Sequence, residues 1–405
     1  MLQKEKIHIL IIPGEELNEE NQLSSVFETH QARVLSDLEL QVGFISINLK
    51  GSIYLDIKKS FKNLTCPKYN KFKFVKQKIF GINLIEVKGK YLTPSFLKLY
   101  RKENVKAGVK AYRCYVQEFG KPDIIHAHSR FLDSALIAKE IFKLFQIPYV
   151  FTEHSTSHNR NLVTQKEYYE YAEIIKQSKK WIVVSPSLGE IISTKLKSMN
   201  KGPSKEYFVV PNVIDPEFKY ILKNNQIGSR FVFLNIASLD AKKNHDLLIK
   251  SFQKVILKNP NVELRIGGEG ELEKQLKEKV QELNLSQINF LGRLNRKEVA
   301  NEILNSQAFV LSSDVETFGV VLIESLALGR PIIATRSGGP EYIINRNNGY
   351  LVEPNNVDQL SNAMLSMIEN YEGFNHLYIQ NECLENFGPK VIGEKLIEIY
   401  KEALN

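Results

Sequence analysis

The sequence predicts an α/β protein built of two doubly wound domains facing each other across a cleft. Three observations carry this. Short runs that are apolar on both faces alternate with longer helical stretches, the pattern of a parallel sheet covered on both sides. The alternation comes in two series, divided by the polar stretch "KNNQIGS" at 223–229. And 405 residues exceed one average core, so two domains are the natural expectation.

The first series opens with "KIHILII" (6–12) as a buried strand, followed by a helix over 22–38 and a second strand "QVGFISINL" (41–49). "PDIIHAH" (122–128), "PYVFTEH" (148–154) and "WIVVS" (181–185) are strand-like and end in polar or loop residues, with helical stretches at 131–145 and 164–178 between them. After "VVPNVIDPEF" (209–218) the second series begins: "RFVFLNIAS" (230–238), "VELRIGG" (262–268), "INFLG" (288–292), "AFVLSS" (308–313) and "PIIAT" (331–335). A last helix over 388–404 has Val391, Ile392, Leu396, Ile397, Ile399 and Tyr400 to bury, against either domain. The expected division is an N-terminal domain over 1–212, a linker over 213–229, a second domain over 230–380, and a C-terminal helical segment over 381–405 that can return to the first. Ligands of such sheets bind beyond the strand C-termini, so the cleft is the expected site.

An apolar content of 43% and a charged content of 25% are those of a globular chain. No apolar run approaches the length of a membrane span, and the apolar part of "MLQKEKIHILIIPGEE" is too short for a secretory signal, so a cytoplasmic location is expected. Cys66, Cys114 and Cys383 are scattered and odd in number, which argues against a disulfide framework and a structural zinc site. Between Tyr54 and Arg113, 14 Lys and 2 Arg face Asp56, Glu86 and Glu103, a net +13 in a chain of net +8. Lysines there interleave with Phe and Tyr. This suits an anionic membrane surface at the inner face of a membrane; a solvated surface over an ordinary core is the alternative. Nucleic acid is not expected, because no nucleic-acid motif accompanies the charge.

Several chemistries are excluded by missing motifs. No G-x-G-x-x-G follows the first strand, and in "GGEGELE" (267–273) Glu273 stands where a third glycine belongs. No P-loop and no metal-ligand spacing occurs, so no metal is expected. His126 and His128 alternate at a strand end and could be ligands, but polar closure of the sheet edge is the commoner role of such a pair.

In "SSDVETFGVVLIESLALGRP" (312–331), Glu316 and Glu324 stand eight residues apart. On one helix they would lie roughly 80° apart around the axis and would not share a face squarely. If the helix instead begins near Gly319, Glu316 precedes its tip and Glu324 lies in its second turn. The free N–H groups at the tip then suit a phosphate, and Gly319 lets the backbone approach closely. Read alone, Glu324 needs no more than favourable placement in the helix dipole. Lys242 and Lys243, just past the first strand of the second series, fall at the same sheet edge. A lysine beside a helix tip makes a pyrophosphate clamp.

These segments resemble the E-x7-E region of the retaining nucleotide-sugar glycosyltransferases of family four, which have the GT-B fold of two Rossmann-like domains. "LNIASLDAKKNHDLLIKSF", "RIGGEGELEKQL", "NFLGRL", "VVPNVIDPEF", "KPDIIHAHS" and "PYVFTEHS" resemble further family segments, most specifically over 208–354. The resemblance implies no cofactor and a nucleotide diphosphate sugar as donor. Glu316 would approach the donor sugar and Glu324 the ribose hydroxyls. The N–H groups of Phe318, Gly319 and Val320 would meet the sugar or diphosphate. Lys243 would neutralise the diphosphate, and His154 would reach across the cleft to the sugar. Gly268 would let the nucleotide pass closely, and Arg293 and Leu294 would lie by the base. Three positions depart from the pattern: Ser238 for an Arg, Ser25-Val26-Phe27 for a G-x-F step, and Val213 for a Gly. No role is carried onto Ser25 or Val213.

The implied reaction is glycosyl transfer with retention to an acceptor hydroxyl, on a cell-surface polysaccharide or lipid-linked glycan. Glu316 would position and stabilise and would form no covalent intermediate. The alternatives are a GT-B sugar-nucleotide epimerase or phosphorylase, and a non-enzymatic membrane-surface module.

Overall fold

The computed structural model describes residues 6–15, 17, 26–51, 72–91, 97–129, 132–215, 218 and 230–405. Two open sheets lie in succession along the chain. The first runs through β1 (His8–Ile12), β2 (Gln41–Gly51), β3 (Lys73–Ile79), β4 (Ile82–Tyr91), β5 (Ile124–Ser129), β6 (Tyr149–Glu153), β7 (Lys180–Val183) and β8 (Tyr207–Val209), in the spatial order β3-β4-β2-β1-β5-β6-β7-β8. The second contains β9 (Phe231–Ile236), β10 (Val262–Gly267), β11 (Ile288–Gly292), β12 (Ala308–Leu311), β13 (Ile332–Thr335) and β14 (Gly349–Val352), ordered β11-β10-β9-β12-β13-β14. In the second sheet the third, second, first, fourth, fifth and sixth strands stand in that order, the doubly wound arrangement. Its strand order reverses between β9 and β12, where such sheets bind ligands.

The central strands form because their residues are apolar on both faces. All five residues of β1 are buried, as are all four of β12 and of β13. Pairing is parallel throughout the second sheet. The first sheet departs from the all-parallel expectation at one edge. Lys73–Ile79 pairs antiparallel with Ile82–Tyr91 through a tight turn at Phe80 and Gly81. The lysine-rich stretch read as a basic face thus contains an edge strand, and its charged, mostly exposed residues blunt that edge. The rest of the 54–113 segment up to residue 71, with residues 92–96, lies outside the described residues.

Ile214 and Phe218, on the stretch joining the two sheets, are fully buried in an apolar cluster that draws members from both halves. Helix His376–Phe387 packs on helix Val320–Ala327 of the second half. The chain then turns at Gly388, and helix Pro389–Leu404 lies against helix Val26–Asp37 of the first half. There Ile392, Leu396 and Tyr400 are buried, and the Tyr400 hydroxyl meets His126 Nδ1 at 2.7 Å. Among the described residues no helix is long and apolar enough to cross a membrane.

Candidate active site

The loops after β9 and β12 meet at the strand-order reversal of the second sheet. Ala241–Lys243 forms one 3-10 turn, and Asn244 caps helix His245–Lys258 by accepting from the Leu247 N–H. Asn244 also donates to Asp314 Oδ1 at 2.7 Å, the Asp314 N–H donates to the Lys242 carbonyl, and Ser312 Oγ donates to the Lys243 carbonyl. These bonds fix the two loops against each other. The Lys243 ammonium consequently donates to Glu316 Oε1, which also accepts from Ser313 Oγ at 2.8 Å. Lys242 pairs instead with Asp240 at 3.2 Å, and Asp240 also accepts from Ser238 Oγ.

Glu316 precedes helix Val320–Ala327, and Gly319 caps that helix in the left-handed region at φ 97°. Among the described residues no acceptor bonds the N–H of Gly319 or Val320. Phe318 is buried edge-on against Phe387, so only its backbone faces the loop. The Glu316 backbone is pinned by the Ser337 carbonyl at 2.9 Å and by the Gly339 N–H at 3.0 Å.

Glu324 lies in the second turn and is 2% exposed. Its Oε1 accepts from Arg296 Nη2 at 2.5 Å, and its Oε2 has no partner among the described residues. Burial raises its pKa against the opposing pull of Arg296. Arg296 was not expected in the site. A lone Arg near the start of a polar helix carries no local signal. It reaches Asp215 of the crossing stretch at 2.9 Å and covers the ring of Phe218 at 4.6 Å. Asp215 in turn lies 3.3 Å from His30 Nε2 of the first half.

Gly268 adopts φ 131°, and a Cβ there would stand 1.9 Å from the Ala237 carbonyl oxygen. The close approach that demands glycine is therefore with the neighbouring β9 loop. Arg293 is exposed and pairs with Glu269 at 3.3 Å, while Leu294 flanks Gly267.

On the first sheet, His154 follows β6 and His128 is the penultimate residue of β5. His128 Nδ1 and His154 Nε2 are 3.0 Å apart and share a proton. His126 stacks on His128 with ring centroids 4.1 Å apart. Burial holds His126 down to about 3 and His128 well below the usual imidazole range, so both are neutral. His128 thus closes the sheet edge by a direct contact with His154. His158, four residues on in a polar run, is 1% exposed, bonded to Tyr168 and 3.9 Å from buried Glu153. The polar run "EHSTSHNR" folds inward because Glu153 accepts from the His154 and Ser155 N–H groups and from Tyr171.

The two halves meet at Gly338. Its φ is 115°, and a Cβ there would lie 2.8 Å from the Glu316 carbonyl, 3.2 Å from Asn159 Nδ2 and 3.3 Å from Ser187 Oγ. The adjacent Gly-Gly pair of "RSGGPEY" was the available signal for this contact. Among the described residues no group of three or more His, Cys, Asp or Glu is placed to hold a metal.

Comparison with known proteins bears on the family and the fold. The family model "Glycosyl transferases group 1" matches residues 218–382, and "Glycosyltransferase Family 4" matches 66–218. An uncharacterised glycosyltransferase of Methanocaldococcus jannaschii is 30% identical over 253 residues, covering 62% of this chain and 66% of that protein. A probable sucrose-phosphate synthase of Thermosipho melanesiensis is 28% identical over 288 residues, covering 64% of this chain. The match spans 66% of that relative too, and 59% of a second Methanocaldococcus jannaschii glycosyltransferase, so the chain covers less than two thirds of these curated relatives. Among solved structures, the sucrose-phosphate synthase of Thermosynechococcus elongatus superposes with TM-score 0.72 at 16% identity, over 98% of this chain and 99% of that one. A glycosyltransferase of Rickettsia africae superposes with TM-score 0.70 at 19% identity, over 99% of both chains.

Proposed function

The chain belongs to the family-four glycosyltransferases of GT-B fold, and from that premise we propose that it transfers a sugar from a nucleoside diphosphate sugar to an acceptor hydroxyl with retention at the anomeric carbon. The observation that carries the reading is the Lys243–Glu316 pair beside the tip of helix Val320–Ala327, at the strand-order reversal of the second sheet. A cation and free N–H groups gather where a leaving diphosphate develops charge. One similar structure, HepE of Anabaena, is described in complex with UDP-glucose, which supports a nucleotide-sugar donor.

In this mechanism the donor diphosphate draws Lys243 away from Glu316. The bond between the anomeric carbon and the diphosphate oxygen breaks, and its electron pair leaves with the diphosphate. The acceptor oxygen bonds the anomeric carbon on the same face, and its proton passes to the departing phosphate oxygen. Glu316, released from Lys243, holds sugar hydroxyls and faces the positive charge of the oxocarbenium-like carbon. His154, oriented by His128, approaches the sugar from the other half. Closure about Gly338 excludes water and so suppresses donor hydrolysis. Thermal shifts against uridine, guanosine and adenosine diphosphate sugars test the reading, followed by detection of the released diphosphate with acceptor present. Epimerised sugar nucleotide without acceptor would turn the assignment to an epimerase.

We further propose a cytoplasmic enzyme peripheral at an anionic membrane, with a lipid-linked or cell-surface glycan as acceptor. Between helices Leu97–Phe119 and Asp133–Phe145 lies a cavity of about 990 Å³. Val105, Val109 and Leu144 give it an apolar lining, and Lys102, Lys106 and Lys110 share its edge with the carboxylates Glu140, Glu167 and Glu170. An apolar lining with lysines at its edge supports a lipid-linked acceptor in this reading. Sedimentation with vesicles rich in anionic lipid, weakening at high salt and absent with neutral vesicles, is the expected result.

A further inference from the structure

Four residues from four segments form one buried polar chain across the base of the cleft: His30, Asp215, Arg296 and Glu324. His30 comes from helix Val26–Asp37 of the first half and Asp215 from the crossing stretch. Arg296 comes from helix Arg296–Leu304, and Glu324 from helix Val320–Ala327. Three of them, His30, Asp215 and Glu324, are nearly excluded from solvent. A buried carboxylate stays ionised only with a partner, and Arg296 is the cation bonded to Glu324. The planar guanidinium spends separate nitrogens on separate carboxylates, Nε on Asp215 and Nη2 on Glu324 Oε1. That leaves Glu324 Oε2 buried and without a partner among the described residues, an acceptor held ready at a cost.

We propose that Arg296 is a positioning residue for nucleotide recognition: it holds Glu324 ionised with Oε1 occupied, so that Oε2 accepts a hydrogen bond from a ribose hydroxyl. This rests on the glycosyltransferase reading and deepens it. Because Arg296 is itself anchored by Asp215, and Asp215 by His30, ribose recognition on the second half is referenced to the position of the first. The groups facing Glu324 are Arg296 and Asp215, with His30 beyond Asp215 and Arg33 acting on His30. The Cys383 thiol donates to the Ile323 carbonyl on the same helix.

The test measures binding of UDP, GDP and ADP, and of their 2′-deoxy counterparts, by calorimetry from pH 5 to 8. Wild-type protein is expected to favour one ribonucleotide about tenfold or more over its deoxy form. In Arg296→Gln that ratio collapses towards one, chiefly by loss of ribonucleotide affinity. Whatever preference survives disappears at higher pH than in wild type, because an unsupported Glu324 protonates sooner. Arg296→Lys, which restores a charge, returns the pH dependence towards wild type. In a Glu324→Gln background, Arg296→Gln changes the ratio no further. A purely structural pair would lower thermal stability and leave the ribose-to-deoxyribose ratio intact, and that result overturns the proposal. If Arg296→Gln does not fold, Asp215→Asn must lower the ratio partially, and an unchanged ratio is equally fatal. Wild-type protein that binds none of the nucleotides defeats the functional reading itself, whereas a normal wild-type preference that persists in the variants defeats only the role of Arg296.

Discussion

Lys243 and Glu316, 73 residues apart in sequence, neutralise each other at the point where the second sheet reverses its strand order. Neither charge is free until a ligand separates them. In the mechanism proposed above, donor binding would replace this ion pair with two new interactions, diphosphate on Lys243 and sugar on Glu316. Exchange of partners lets the site hold both charges in a largely buried place without a ligand present.

Lys243→Ala should weaken binding of the nucleoside diphosphate strongly while binding of the bare nucleoside changes little. Turnover should fall by about 100-fold or more, the usual effect of losing one group that stabilises a leaving anion. Calorimetry with nucleoside, monophosphate and diphosphate checks this. Equal losses for all three would place Lys243 away from the phosphates.

Glu316→Ala should abolish transfer and leave nucleotide affinity near wild type. Diphosphate affinity has a reason to rise slightly, because Lys243 loses its competing partner. A collapse of nucleotide binding parallel to the loss of turnover would remove Glu316 from the sugar end.

The strands and the loops after β9 and β12 were legible because their signals are local. Runs apolar on both faces, Gly319 ahead of an apolar helix, and Lys243 after a strand all announce themselves within a dozen residues. What escaped was tertiary. The edge strand Lys73–Ile79 hid because its exposed face carries lysines, the same feature that reads as a basic surface. His158 sits in a polar run whose inward fold depends on Glu153 and Tyr168, neither of them adjacent to it. Arg296 has no pattern at all: its role exists only once Asp215 and Glu324 converge on it.

Gly268→Ala should destabilise the fold. The new Cβ would stand 1.9 Å from the Ala237 oxygen at a φ of 131° that side chains rarely adopt, so the loops after β9 and β10 must move apart. Left-handed strain alone costs roughly 1–3 kcal/mol, and the clash adds to it. The melting temperature should drop by several degrees, with weaker nucleotide binding. An unchanged melting temperature would mean that the loop relaxes freely.

His128→Leu should lower turnover about tenfold or more with little change in nucleotide affinity. The substitution removes the hydrogen bond between His128 and His154 Nε2, and losing one such part-buried bond costs about 1 kcal/mol. The nucleotide contacts proposed here lie on the other half of the molecule, so the binding constant and the turnover number should separate. A joint fall in both, with reduced thermal stability, would make His128 a core residue only.

Stability should decline as pH falls from about 6.5 towards 4. Burial lowers His30 and His245 from 6.5 to about 4 and His126 to about 3, and it lowers His128 as well. In the unfolded chain each imidazole takes a proton as pH drops through 6.5, whereas in the folded chain it stays neutral until far lower. Unfolding therefore takes up protons in this window, and acid favours the unfolded state. Each group contributes at most about 1.4 kcal/mol per pH unit. Asp133 works in the opposite sense: burial raises it from 3.8 to about 6, so its proton favours the fold between those values. Burial of Glu324 pushes the same way. Burial lowers His8 as well, and Glu153, Glu167, Asp240 and Glu263 are held below the usual carboxylate range, so the groups that acid turns against the fold outnumber Asp133 and Glu324; the melting temperature should be flat above pH 7 and fall below 6.5. His126→Gln, which removes one titrating group, should flatten that slope although it lowers the plateau. A melting temperature that stays level down to pH 4.5 would mean that the buried imidazoles are already charged in the fold, and with them the neutral His128–His154 contact would have to be abandoned.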